Sequence, residues 1–261
     1  MIDIQQDQAE SLWRSCLNYL KNKADLDDVL DLASDKTNPL LSDMAAIYLK
    51  LLQSLSNRQG MPKSIGDVRR LSEVLCGFIP YDVVLQYEDN WQKLFDKIMK
   101  DVKPASRMDI SVPQNYWVVF CKGSIDAANF LWKFNDGKEF ISSIRQFAES
   151  ELFVAGLPKV LEMEITGLGF PLACDFLKEA GWPQYAKADT HTKKLLKAVG
   201  LSDGSDYGTF KAMLQIARYI DETPYRVDKV LWLIGSGKLY NKNLKIASSR
   251  EEFLDYYRQV V

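Results

Sequence analysis

The sequence predicts an all-α fold of about a dozen helices, and three observations carry that prediction. Apolar residues recur at i, i+3, i+4 and i+7 in segment after segment, as in Ala173, Phe176, Leu177 and Ala180. Helix punctuation brackets those stripes: Pro171 suits a first turn, Gly181 a C-terminal stop, and Asp189 an N-cap. The helices differ too much in spacing and content for a solenoid, and neither internal repeats nor low-complexity tracts occur.

At 261 residues the chain is long enough for one large or two intimate domains. Its net charge of −2 excludes the global basic signature of a tight nonspecific DNA binder, so any nucleic-acid contact has to come from a local patch. Cys16, Cys76, Cys121 and Cys174 are scattered without CxxC spacing. They read as reduced thiols in a cytosolic setting, not as a disulfide framework or a zinc site. No run of about 18 apolar residues is present, and the opening MIDIQQDQAES lacks the basic and apolar regions of a signal peptide. A soluble intracellular protein is expected.

The first forty residues carry eight carboxylates against four cations, a local balance of −4, and that face is expected to point away from DNA. Trp13, Cys16, Leu17 and Leu20 make the first helix stripe, a second helix is read over Leu26–Ala33, and Asn38-Pro39 opens a longer one through Leu52. That helix runs into Ser56-Asn57-Arg58-Gln59-Gly60. Two further helices are read over Ser64–Phe78 and Tyr81–Val102, before a polar break at Lys103–Ser106. Trp117–Cys121 has no clear helical phase and fits either a buried helix or a short strand. Trp117, Phe130, Trp132 and Phe134 form an aromatic-rich region, suited to a core or to stacking on an extruded base. Lys138–Glu149 is the next helix, and Pro158 starts a short one.

The stretch Leu161–Gly200 carries the chemistry. Gly167 and Gly169 flank Leu168, so the backbone can turn sharply and bring its N–H groups to the surface. A glycine turn that opens into a helix presents unpaired amides and a positive dipole end, which favour an anion such as phosphate. Asp189 then precedes the stripe Thr192, Leu195, Leu196 and Val199, and His191, the chain's single histidine, follows two residues later. Lys187, Lys193, Lys194 and Lys197 against Asp189 make residues 185–200 locally +3, which is either a solvated face or a DNA-facing one. Further helices follow around Phe210–Ala217 and Val227–Ile234, the latter ending at Gly235-Ser236-Gly237. Ser248 and Glu251 have capping-box spacing ahead of the last, with Leu254 and Tyr257.

Ile165-Thr166-Gly167-Leu168-Gly169, Ala173, Gly181-Trp182-Pro183 and Ala188-Asp189-Thr190-His191 together resemble the helix-hairpin-helix DNA glycosylase superfamily, especially its endonuclease III-like members. The resemblance runs without gaps over about thirty residues. It implies two helical lobes: a barrel over residues 45–188 ending in the hairpin, and a second lobe from 1–44 with 189–261, with DNA in the cleft between them. It implies cleavage of the N-glycosidic bond of a damaged or mispaired base in double-stranded DNA. Asp189 is the expected catalytic carboxylate, stabilising positive charge on the sugar and aligning water. Thr166, Gly167, Leu168 and Gly169 would hold the backbone, around a monovalent K+ or Na+ bound by carbonyls of Thr166, Gly167 and Gly169. His191, Lys187 and Lys193 would add phosphate contacts. In this class a side chain fills the gap left by the flipped nucleotide; Gln59 or Asn57 is the candidate, with Arg58 on a phosphate, although a solvated helix-ending loop is the more ordinary reading of these residues.

Two departures shape the expectation. The family's Schiff-base lysine position holds Pro171, which has no amine, so a monofunctional mechanism is expected. The scattered cysteines do not supply an iron–sulfur cluster, and one histidine does not build a side-chain metal site. A non-catalytic helix-hairpin-helix DNA-binding protein and a helical protein-interaction module are the alternatives. A cytoplasmic monomer, nucleoid-associated if bacterial, is expected.

Overall fold

The computed structural model describes residues 2–23, 25, 27, 30, 31, 33, 34, 40–237 and 250–260. Among the described residues every regular element is helical, as the sequence predicts. In chain order these are α1 (Gln6–Lys21), α2 (Met44–Ser56), α3 (Met61–Ile65), α4 (Pro80–Tyr87), α5 (Trp91–Lys97), α6 (Tyr116–Trp132) and α7 (Gly137–Ala148). They continue with α8 (Gly156–Glu164), α9 (Phe170–Glu179), α10 (Thr190–Ala198), α11 (Asp206–Tyr219), α12 (Pro224–Ser236) and α13 (Arg250–Val260). None of them is long and apolar enough to cross a membrane. Part of the helix read over Leu26–Ala33, the Asn38-Pro39 helix start and Ser248 of the capping box lie outside the described residues.

The chain forms two compact units, Leu40–Ala180 and Met1–Pro39 with Gly181–Val261. The boundaries therefore stand at 40 and 181, where the sequence reading put them at 45 and 189. Hydrogen bonds give the reason. Leu41 N–H donates to Ala180 O at 3.0 Å, tying the segment before α2 to the end of α9. Tyr225 N–H donates to Pro183 O and Lys187 N–H to Asp228 Oδ2, each at 3.0 Å, so residues 181–188 are fastened along α12.

The unit Leu40–Ala180 is built around α6. Asn115 caps it by accepting from Trp117 N–H at 3.0 Å. Trp117, Val118, Val119, Phe120 and Cys121 are all buried, which explains their lack of phase: a helix covered on every side has no polar face to reveal its period. It packs against α2, α4 and α5, and Tyr48 on α2 donates to Ser124 O at 2.9 Å across the first of these contacts. Small residues at Gly123, Ser124, Ala127 and Ala128 let its neighbours approach closely. In the other unit, α1 turns Leu12, Cys16, Tyr19 and Leu20 inward against α11, α12 and α13, with the Tyr19 ring edge-on to Phe253 at 5.3 Å.

Three expected helices are shorter or broken. The long early helix starts at Met44, where Asp43 accepts from Ala46 N–H at 2.8 Å, and residues 40–43 ahead of it are not helical. Ser64–Phe78 is not one helix: α3 ends before Gly66-Asp67, and Asp67 caps a separate 3-10 turn over Val68–Leu71. Tyr81–Val102 divides because Glu88 and Asp89 take positive φ (49° and 61°) and Asn90 caps a new helix at Trp91.

The helix α6 approaches the glycine bend closely. A Cβ on Gly123 would stand 2.3 Å from Thr166 O and 2.7 Å from Leu55 Cδ2. Gly123→Ala should therefore push the bend off α6 and destabilise the protein by about 1–3 kcal/mol. Chemical denaturation checks the magnitude.

Candidate functional site

The bend over residues 165–169 joins α8 to α9. Gly167 has φ +84°, a conformation in which a side chain is strained, and a Cβ there would also stand 2.6 Å from Val119 Cγ1. Leu168 is buried beneath the turn and Thr166 is exposed. Gly169 has ordinary extended geometry and is the N-cap of α9, with Phe170 and Pro171 in the first turn. Pro171 thus sits where a missing N–H is least felt.

The donors of the bend divide into held and open. Thr166 N–H donates to Asp126 Oδ2 at 2.9 Å, and Phe170 N–H to Glu162 Oε1 at 3.2 Å. Leu168 N–H donates to Ile165 O at 3.1 Å, and Gly169 O accepts from Leu172 and Ala173. Among the described residues the N–H groups of Gly167 and Gly169 have no partner. As for the carbonyls proposed around a cation, that of Thr166 rests on Gly123 and that of Gly169 closes the first turn of α9.

Arg58, more than a hundred residues earlier in the chain, is brought to this place. Its Nη1 lies 3.6 Å from where a Cβ on Gly167 would be, and its Nη2 is 3.5 Å from Gln114 Oε1. Arg58, Gln114, Lys122, Glu162 and the bend line one open cavity of about 500 Å³. The charges there are mixed. Arg58 and Lys122 are cationic, while Glu162 is anionic and paired with Lys159 at 2.6 Å. Lys122 Nζ lies 4.9 Å from the centre of the Trp91 ring. Of the neighbouring loop, Gln59 is exposed, whereas Asn57 donates to the buried Asp175 at 3.3 Å.

Lys122, Asp126 and Glu162 escaped the sequence reading. A signal existed for the first two: they are the only charges between Trp117 and Ala128, set i,i+4 on a helix otherwise buried, so they had to share its one open edge.

Asp189 belongs to the other unit. It is half-buried and is the N-cap of α10, its Oδ1 accepting from His191 N–H at 2.8 Å and Thr192 N–H at 2.9 Å. Oδ2 carries no hydrogen bond among the described residues. Two amides thus fix the carboxyl group and leave one oxygen open. His191 turns toward α12: its Nδ1 is 2.8 Å from Gly235 O, and its ring is edge-on to Trp232 at 6.5 Å. A carbonyl only accepts, so Nδ1 carries a proton and donates to Gly235 O. Lys193 is ion-paired with Asp206, and Lys194 and Lys197 are exposed. Lys187 contributes its backbone N–H to Asp228 Oδ2.

The aromatic region also resolves. Trp117 and Phe130 are core, and Phe134 packs edge-on to Phe130 and Phe140, while Trp132 remains 46 % exposed. Of the cysteines, Cys16, Cys121 and Cys174 are buried, and burial pushes the thiols of Cys16 and Cys121 far above their ordinary range. Among the described residues no group of three or more His, Cys, Asp or Glu side chains is gathered for a metal. No family model, curated protein or solved structure matches the chain.

The cap geometry separates two substitutions at Asp189. Asp189→Ala should lose about 1 kcal/mol of stability with the cap, whereas Asp189→Asn should stay within a few tenths, because Asn caps about as well. Thermal and urea denaturation of both variants check this, and agreement makes Asn the clean probe of chemistry at that position.

Proposed function

We propose that this chain binds duplex DNA by holding one backbone phosphate at the Gly167–Gly169 bend, and that it cleaves the N-glycosidic bond of a damaged or mispaired base. The observation that carries the reading is that Gly167 and Gly169, whose N–H groups have no partner among the described residues, line one cavity with Arg58. Two amides and one planar cation match the oxygens of a single phosphodiester. The carboxylates of Asp126 and Glu162 already hold the adjacent amides, so the grip is for one phosphate only.

The chemistry proposed is hydrolytic. As the bond from C1′ to the base breaks, its electron pair leaves with the base and positive charge grows on the sugar. Asp189, oriented by two amides and with Oδ2 open, would stabilise that charge and take a proton from the water that bonds to C1′. Pro171 offers no amine, so no covalent enzyme–sugar adduct arises from that position. Gln59 would fill the gap in the duplex, and Lys194 and Lys197 would add outer phosphate contacts.

One observation favours a second reading, DNA binding without catalysis. The capping bonds of Asp189 account for the residue on structural grounds alone.

A panel of duplexes bearing oxidised, alkylated, deaminated or mismatched bases tests both. Binding should weaken as salt rises. Arg58→Ala should lower affinity for every duplex and reduce the salt slope by about one. Asp189→Asn should leave affinity intact and lower base release by about 10²–10⁴-fold. Salt-sensitive binding with no base released from any lesion supports the binding-only reading. Absence of salt-dependent binding removes both.

A further inference from the structure

A second cavity, of about 390 Å³, lies at the other end of α2 and α6 from the bend. Met44, at the start of α2, Pro80 and Tyr81, at the start of α4, and Trp132, Phe134 and Asn135, at the end of α6, are among its walls. The DNA reading makes no use of it. We propose that this cavity binds a methylated ammonium group.

The walls argue for that chemistry. Three of them are aromatic, and the rings of Tyr81 and Trp132 stand perpendicular, 85° apart with centroids 5.5 Å from each other. Both residues are about half exposed, at 51 % and 46 %. Perpendicular rings offer two faces to one guest, and the face of an aromatic ring carries the negative lobe of its quadrupole, which attracts a cation.

The surroundings carry the same sign. No lysine or arginine lines the cavity among the described residues. Four carboxylates flank its wall residues in sequence, Asp43, Asp82, Asp136 and Glu139, against Lys133 and Lys138. Among the described residues the Glu139 carboxylate accepts only from the neutral backbone and side-chain N–H groups of Asn135, each at 2.7 Å. Lys133 is drawn aside, 2.7 Å from Glu164 and over the Phe130 ring. The C-terminal end of the 17-residue α6, the negative end of its dipole, also opens there.

Methylation follows from what the walls lack. A primary ammonium is strongly hydrated and needs acceptors to replace its water, whereas these walls supply three aromatic rings, the apolar side chains of Met44, Ile79, Pro80 and Leu131, and the single amide of Asn135. A methylated ammonium gives up water readily, its methyl groups suit apolar walls, and its charge is met by the ring faces and the surrounding negative field.

The test is a titration of the intact protein followed through the indole N–H resonance of Trp132, assigned by its loss in Trp132→Leu. The probes are tetramethylammonium, choline, the uncharged isostere of choline with carbon in place of nitrogen, and a short peptide carrying trimethyllysine beside its unmethylated form. Choline and tetramethylammonium should bind about tenfold or more tightly than the isostere. Tyr81→Phe should retain binding, since the ring and not the hydroxyl is the wall, and Tyr81→Leu should lose it, with unchanged circular dichroism in both. Tighter binding of the methylated peptide than of choline assigns the group to a protein side chain; the reverse assigns it to a small solute. Equal binding of choline and its isostere, or no shift with any methylated probe, overturns the proposal. DNA binding is read separately and is expected to be unaffected by Trp132→Leu.

Discussion

A carbonyl oxygen lying against a helix that has no side chain there organises the larger unit. Thr166 O occupies the space above Gly123 on α6, and Val119, one turn earlier on the same helix, closes over Gly167. Because α6 is buried by α2, α4 and α5, the surface it offers to the bend does not shift. The bend is therefore held in one shape before any ligand arrives, and Gly167 keeps a positive φ that the chain would otherwise visit only in passing. Preorganisation of this kind removes an ordering cost from binding.

The electrostatics of the bend follow from the same contact. Drawing Thr166 onto α6 brings its N–H to Asp126, and the short α8 brings Glu162 to Phe170. Each carboxylate satisfies a donor that would otherwise be bare, and each places negative charge beside a cavity proposed for phosphate. Arg58 and Lys122 offset this. The outcome is a small local grip on a protein of net charge −2, consistent with one positioned phosphate and not a broad basic track.

How much of this is legible from the residues alone varies with the kind of signal. Asp189 as an N-cap and Pro171 in a first turn are local rules and stand as read, because capping depends on neighbours three or four residues away. The division of Ser64–Phe78 and Tyr81–Val102 was hidden, since apolar spacing continues through breaks made by backbone conformation at Gly66 and at Glu88-Asp89. Trp117–Cys121 at the start of α6 had no readable phase because all five side chains are buried. Arg58 was read as a phosphate contact from its loop alone, and its meeting with Gly167 is a long-range contact that no local pattern encodes. His191 was read as a phosphate contact from its place beside Asp189, and the contact of its ring with Gly235 on α12 is likewise long-range and hidden from local pattern.

The central claim is that the two open amides of the bend are the seat of a phosphate. Amide resonances of the uniformly nitrogen-labelled protein, followed during titration with a short DNA duplex, address it directly. The account predicts that the Gly167 and Gly169 N–H signals move downfield and saturate together, with smaller shifts at Thr166 and Phe170, whose amides are already held. Saturable binding of the duplex that leaves Gly167 and Gly169 unmoved while other surfaces shift would contradict it.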